Sequence, residues 1–376
     1  MRSPVAKISW GQALAWRMDR QFLEAPSDGS TTDVVRRMAA VQAQVASSAE
    51  LAIRLRRSTS RPGDVERALG RGSILKTWAM RGTLHLITPE EGAAFLSLMA
   101  SGRPWERPSW VSYFGLTPAN LERMREVVSE ALEGRALTRE ELIAAIAATR
   151  SLRHLAEGLR SGWGTLLKPL AWRGDLCFGP NRGARVTFQR PADASPRWRG
   201  IPGHEEAAPI AIAAYLRAYG PTTGQRFGRW LASGWFGKRQ LHEWFERLAD
   251  RVVPLDVEGE QTFVLSEDVE SLLATKPTRT VRLVGGFDQW VLGPGTDDAR
   301  VLPTAHRRLV SKQSGWIAPS VVNGGIVSGT WKLNGSRVEV AWFADASRIP
   351  RRALAEEVDR IGGLLGRDLA LEVVRA

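Results

Sequence analysis

The sequence predicts an α+β protein built of three successive helix-helix-helix-hairpin units and closed by a small β-barrel. Three observations carry that expectation. Capping residues mark the helix starts, pairs of short strands flank turn residues after each group of helices, and strand-type patterning takes over from about Thr278. A chain of 376 residues, 43% hydrophobic and 24% charged, has ample material for several packed domains.

The middle unit is the most legible. Thr117-Pro118 offers an N-cap with proline at the first helical position, and Thr138-Arg139-Glu140-Glu141 is a capping box that opens ELIAAIAA. A third apolar-periodic run, GWGTLLKPLAWRG, stops at Gly174. DLCFG and ARVTFQ then flank the expected turn Pro180-Asn181-Arg182-Gly183 as two strands. This order is the plan of a winged helix.

The same order recurs on both sides. In the first unit Ser9 caps a helix through Gln12, a second helix begins near Asp33, DVERALG forms a short helix, and LKTWAM and TLHLIT enclose a turn at Arg81-Gly82. In the third, EEAAPIAIAAYLRAYG, TTGQRFGRWLA and GKRQLHEWFERLA read as helices, and VVPLDV and TFVLS bracket Glu258-Gly259-Glu260. The barrel strands are TVRLVGGF, WVLGP, GWIAPSVV, GIVSGTWKL and RVEVAWF; RRALAEEVDRIGGLLG is a closing helix and LALEVV a final strand. The expected domains are 1–110, 111–200 and 201–277 for the three winged helices and 278–376 for the barrel, with Pro191 to Pro202 as the linker.

Composition narrows the function. No apolar run approaches the roughly 20 residues of a membrane span, and the first residues lack the apolar core of a signal peptide, so a cytoplasmic protein is expected. A single Cys177 and five scattered histidines provide no metal-ligand spacing, so neither a metal nor another cofactor is expected. The charge is uneven: residues 1–200 hold 30 Lys+Arg against 19 Asp+Glu, whereas 201–376 hold 22 against 21. An excess of that kind in one half suggests a polyanion surface with phosphates as partner, although an Arg-rich, Ala-rich and Gly-rich composition also follows from GC-biased coding.

One short stretch poses a chemical question. AAVQAQVASS sets Gln42 and Gln44 either side of Ala43. On a continuous helix residues two apart point about 200° away from each other, and such a pair is ordinarily a solvated polar face. Val34, Met38, Val41 and Val45 have the helical spacing that favours this reading. If the helix ends, both amides can turn to one side and hold a water between them. The poorer helix formers from Val45 to Ser48 allow a break, and a break is expected here.

Together VQAQ at 41–44, TWAMRGTLHLIT at 77–88, FDQWVLG at 287–293 and GWIAPSVVNGGIVSGTWK at 315–332 resemble the azinomycin-resistance type of DNA glycosylase, from about Ser9 to the C-terminus. The resemblance implies tandem winged helices and a barrel forming a C-shaped channel for double-stranded DNA. It implies removal of bulky alkylated purines, including crosslinked ones, with Gln42 and Gln44 as the catalytic pair. The second polar position is Gln rather than Asp, as in the crosslink-resistance branch.

The chemistry agrees. An N7-alkylated purine is cationic and leaves readily, so two amides that orient water and lie beside the developing sugar cation can suffice; an amide is no general base. Lys76, Arg81, His85, Arg182 and Arg185 are the candidate DNA contacts: Arg81, Arg182 and Arg185 stand at hairpin tips, which meet phosphates or grooves, and Lys76 is a similar cation, whereas His85 alternates with Leu84 and Leu86 and so faces away from them, either towards a DNA channel or as a partly exposed strand histidine. Of the fifteen tryptophans, Trp78, Trp172 and Trp244 read as core, whereas Trp105 and Trp110 in a basic, Pro-rich connection are candidates to line the channel. Asp288 reads as the holder of a loop. A non-catalytic winged-helix regulator is the alternative function, and a protein-interaction scaffold a third. Three unlike modules on one chain need no partner, so a monomer is expected.

Overall fold

The computed structural model describes residues 4–375. Helices start where the capping residues stand. The Ser9 hydroxyl accepts from the Gln12 amide, Ser30 and Asp33 form a capping box, Thr117 accepts from Asn120, and Thr138 and Glu141 form the second capping box. Each side chain satisfies an amide that the first turn leaves free.

Three sheets organise the chain. The largest has six strands in the order Val41–Gln42, Leu84–Ile87, Leu75–Trp78, Cys177–Arg182, Arg185–Gln189 and Leu137–Thr138. The first two hairpins therefore share one sheet, joined where Lys76 pairs with Phe178. The ring centroids of Trp78 and Phe178 lie 4.7 Å apart, and those of Phe178 and Phe188 5.0 Å, which seals the join. A second sheet holds the hairpin Val252–Val257 and Glu260–Leu265, with Lys7–Ile8 added in parallel. The chain start is thus tied to the third helical group, and one hydrophobic cluster runs from Ala39 to Leu265.

The expected barrel is instead an open five-stranded sheet. Val281–Val284 and Ala370–Arg375 form its opposite edges among the described residues. The last strand pairs in parallel with Arg337–Trp342, a connection that needs a crossover, and the helix Arg351–Leu365 provides it. WVLGP is no strand. The Asp288 carboxylate accepts from the Trp290 amide and caps a helical turn at Gln289–Leu292. The second hairpin turn also shifts. Its strands reach Arg182 and Arg185, so Gly183 and Ala184 make the loop, and the glycine takes a φ of +60° that suits a two-residue turn. The segment from Pro191 to Pro202 is anchored rather than a free linker: Ser195 is buried and donates to the Gly72 carbonyl at 2.5 Å.

Candidate active site

The helix breaks at the glutamines. Thr31–Arg37 ends at the cap Met38, Ala39 adopts a φ of +60°, Val41–Gln42 pairs as a strand with Leu84–Ile87, and a new helix begins at Ala46–Arg54. The ladder continues through Ala43, whose amide donates to the Leu84 carbonyl at 2.7 Å. Tyr219 reinforces the break by donating its hydroxyl to the Met38 carbonyl at 2.7 Å, the acceptor that a continuing helix would have used for Gln42. The strand itself stops at Gln42, and the chain bends at Gln44 before the next helix. The two glutamines differ in access: Gln42 is 7% exposed, and Gln44 is open to solvent.

Gln42 stands directly opposite His85, and His85 directly opposite Thr77 on the next strand. His85 is fully buried, which corrects the expectation of a channel-facing or partly exposed position. Its Nδ1 lies 3.0 Å from the Thr83 carbonyl, an acceptor only, so Nδ1 carries the proton. Burial, with the Arg81 charge nearby, pushes the imidazole pKa down to about 3, so the ring is neutral at physiological pH.

The basic candidates separate. Lys76 is half-buried on the central strand, its ammonium 5.4 Å from the centroid of Phe178, and burial lowers its pKa. Arg81 sits at the first hairpin tip with a φ of +56°, but its guanidinium turns inward and donates to the Trp230 carbonyl at 3.0 Å. It fastens the hairpin to the helix Gly224–Ala232 rather than pointing at solvent. Arg182 is spent on Glu141, at 2.9 and 3.0 Å, and on the Ala136 carbonyl. Arg185 is exposed, and its guanidinium has no ion-pair or hydrogen-bond partner among the described residues. Among the described residues no group of His, Cys, Asp and Glu is placed to hold a metal.

The family model for AlkZ-like DNA glycosylases matches residues 35–364. The chain belongs to the AlkZ-like DNA glycosylase family. It is 46% identical over 361 residues to an interstrand DNA cross-link repair glycosylase of Streptomyces sahachiroi, covering 96% of this chain and 97% of that one. It also superposes on the solved structure of the Streptomyces sahachiroi DNA glycosylase AlkZ with a TM-score of 0.95 at 46% identity, over 98% of this chain and all of that one.

Several groups around the glutamine stretch escaped sequence reasoning. Arg56 and Asp288 form a fully buried bidentate pair at 2.8 and 2.7 Å, so Asp288 holds not only its own turn but also the helix Ala46–Arg54 behind the glutamines, through the Arg56 bond to the Ala52 carbonyl. Arg56 has no sequence signal, and Asp288 signals only the holder of a loop, not a partner for a buried arginine. Gly285 lets the same helix pack closely, since a β-carbon there would meet Leu51 at 3.1 Å. Val45, next to Gln44, packs on the cluster that contains Phe287 and Ile317. Trp316 is half exposed and meets Phe287 edge-on at 5.0 Å. Trp105, by contrast, is 3% exposed and packs near Trp172, so it does not line an open channel. Trp110 is half-buried.

Proposed function

We propose that this AlkZ-like glycosylase hydrolyses the N-glycosidic bond of bulky N-alkylated purines in double-stranded DNA and unhooks interstrand crosslinks, with Gln42 and Gln44 orienting the attacking water. The observation that carries the reading is the interrupted helix. It leaves one buried and one exposed glutamine on the short non-helical stretch between two helices, in a chain 46% identical to a cross-link repair glycosylase. Three winged-helix modules carry the DNA, most of it on residues 1–200, and the enzyme works as a monomer in the cytoplasm.

The chemistry follows from the leaving group. Alkylation at N7 makes the purine cationic, so departure of the neutral base leaves the positive charge on the sugar. The amide oxygens of Gln42 and Gln44 lie beside that charge and accept hydrogen bonds from the water, which sets its lone pair towards C1′. Neither amide removes a proton. The water becomes acidic only as it bonds to the sugar cation, and bulk solvent then takes the proton.

Incubation of the purified protein with duplex DNA carrying an N7-alkylpurine, followed by alkali, tests the reading. Strand cleavage at the alkylated position is expected, with or without EDTA. Binding of the duplex with no abasic site formed would replace this reading with a non-catalytic DNA-binding protein.

A further inference from the structure

The polar row beside Gln42 contains atoms that the described chain leaves unsatisfied. Thr77, His85 and Gln42 are in register on three neighbouring strands, so their side chains share one face with β-carbons about 5 Å apart. Their exposures are 1%, 0% and 7%. Thr77 Oγ1, His85 Nε2 and Gln42 Oε1 are each buried without a hydrogen-bond partner. Nothing in a regular strand demands three polar side chains in such a row, and an apolar row would cost less.

His85 sets the polarity of the row. With its proton on Nδ1 and committed to Thr83, Nε2 offers only a lone pair. The neighbouring group must therefore donate. With its oxygen inward, the Gln42 amide brings a second acceptor beside Nε2. A half turn of the same planar amide occupies the same space, brings NH₂ towards the imidazole, and leaves the oxygen facing outward.

We infer that His85, backed by Thr77, is a positioning residue for Gln42: Nε2 accepts a hydrogen bond from the Gln42 amide, directly or through a water shared with the Thr77 hydroxyl. The bond fixes the Gln42 oxygen towards the attacking water. This rests on the proposed catalytic role of Gln42, and it adds what makes that amide work in one orientation only.

The test compares His85→Phe, which fills the ring volume without an acceptor, with His85→Gln, which restores an acceptor oxygen. Single-turnover excision, affinity for undamaged duplex and melting temperature are measured for each. His85→Phe is expected to slow excision by about ten-fold with DNA affinity unchanged, and His85→Gln to recover part of the loss. Adding His85→Phe to Gln42→Ala should slow excision no further, because both remove the same oriented amide. If His85→Phe does not fold, Thr77→Val carries the test, with a few-fold slower excision expected at unchanged affinity and melting temperature. A normal rate in the His85 and Thr77 variants beside a slow Gln42→Ala would overturn the row alone. A normal rate in Gln42→Ala would overturn the catalytic reading beneath it.

Discussion

Ala39 is the residue on which the site turns. A left-handed conformation costs a non-glycine residue roughly 1–2 kcal/mol, and Ala39 holds it because Tyr219 takes the Met38 carbonyl on one side while Val41 enters the sheet on the other. The apolar spacing of Val34, Met38 and Val41 is real, since all three share one core cluster, yet a helix end, a turn and a strand satisfy it as well as a helix does. A break is what the chemistry of the pair asks for, but it falls earlier than the weak helix formers from Val45 to Ser48 suggest: the helix ends at Met38, and Ala46 to Ser48 open the next one. The partner strand and Tyr219 are far away in sequence, and local pattern does not record them. His85 shows the same limit: alternation placed it away from Leu84 and Leu86, but not that its face is covered. That burial predicts a pH effect. The folded pKa of about 3 lies below the ordinary value of 6.5, so the unfolded chain binds the proton first as pH falls. Stability from this residue is complete above about pH 6.5 and declines down to about pH 3, by at most about 1.4 kcal/mol per pH unit. Urea titrations of wild type and His85→Gln across this range should show a shallower decline in the variant; parallel curves would mean the histidine is not buried neutral.

At the scale of elements, capping boxes and hairpins were readable because their determinants lie within a few residues. Thr138 and Glu141 do what their spacing predicts. What reading by elements missed is that the same Glu141 also holds Arg182 from the second hairpin, and that Arg81 is drawn inward to Trp230. A place at a hairpin tip does not free a cation when an acceptor on a neighbouring helix is within reach. Arg185 has no ion-pair or hydrogen-bond partner among the described residues, so of the two it is the one proposed here to contact DNA. Arg185→Ala should lower the slope of log affinity against log salt by about one, because one phosphate contact is lost. Arg182→Ala should leave that slope nearly unchanged. Equal slope changes in both variants would show that DNA displaces Glu141 from Arg182.

Across the whole molecule the capped helix starts are legible in the sequence, but the junctions between elements are not. The first two hairpins merge into one sheet through Lys76 and Phe178, the chain start pairs with the third hairpin, and Arg56 ties the first unit to Asp288 across 232 residues of sequence. These contacts are set by tertiary packing and leave no periodicity behind. The C-terminal sheet is open, with Val281–Val284 and Ala370–Arg375 as its edges among the described residues; strand counting alone suggests closure. The Arg56–Asp288 pair is the most consequential junction, since both groups are fully buried and removing one would strand the other charge. It holds the helix that follows Gln44 against the C-terminal sheet and so keeps the glutamine stretch in place.

The most direct test of the account is excision by Gln42→Ala, Gln44→Ala and the double variant on duplex DNA with one N7-alkylpurine, measured alongside affinity for the same duplex. Each single replacement should slow base release by roughly ten-fold or more while affinity stays nearly intact, the sign of an interaction made mainly in the transition state. Full activity in the double variant would contradict the catalytic assignment of the two glutamines.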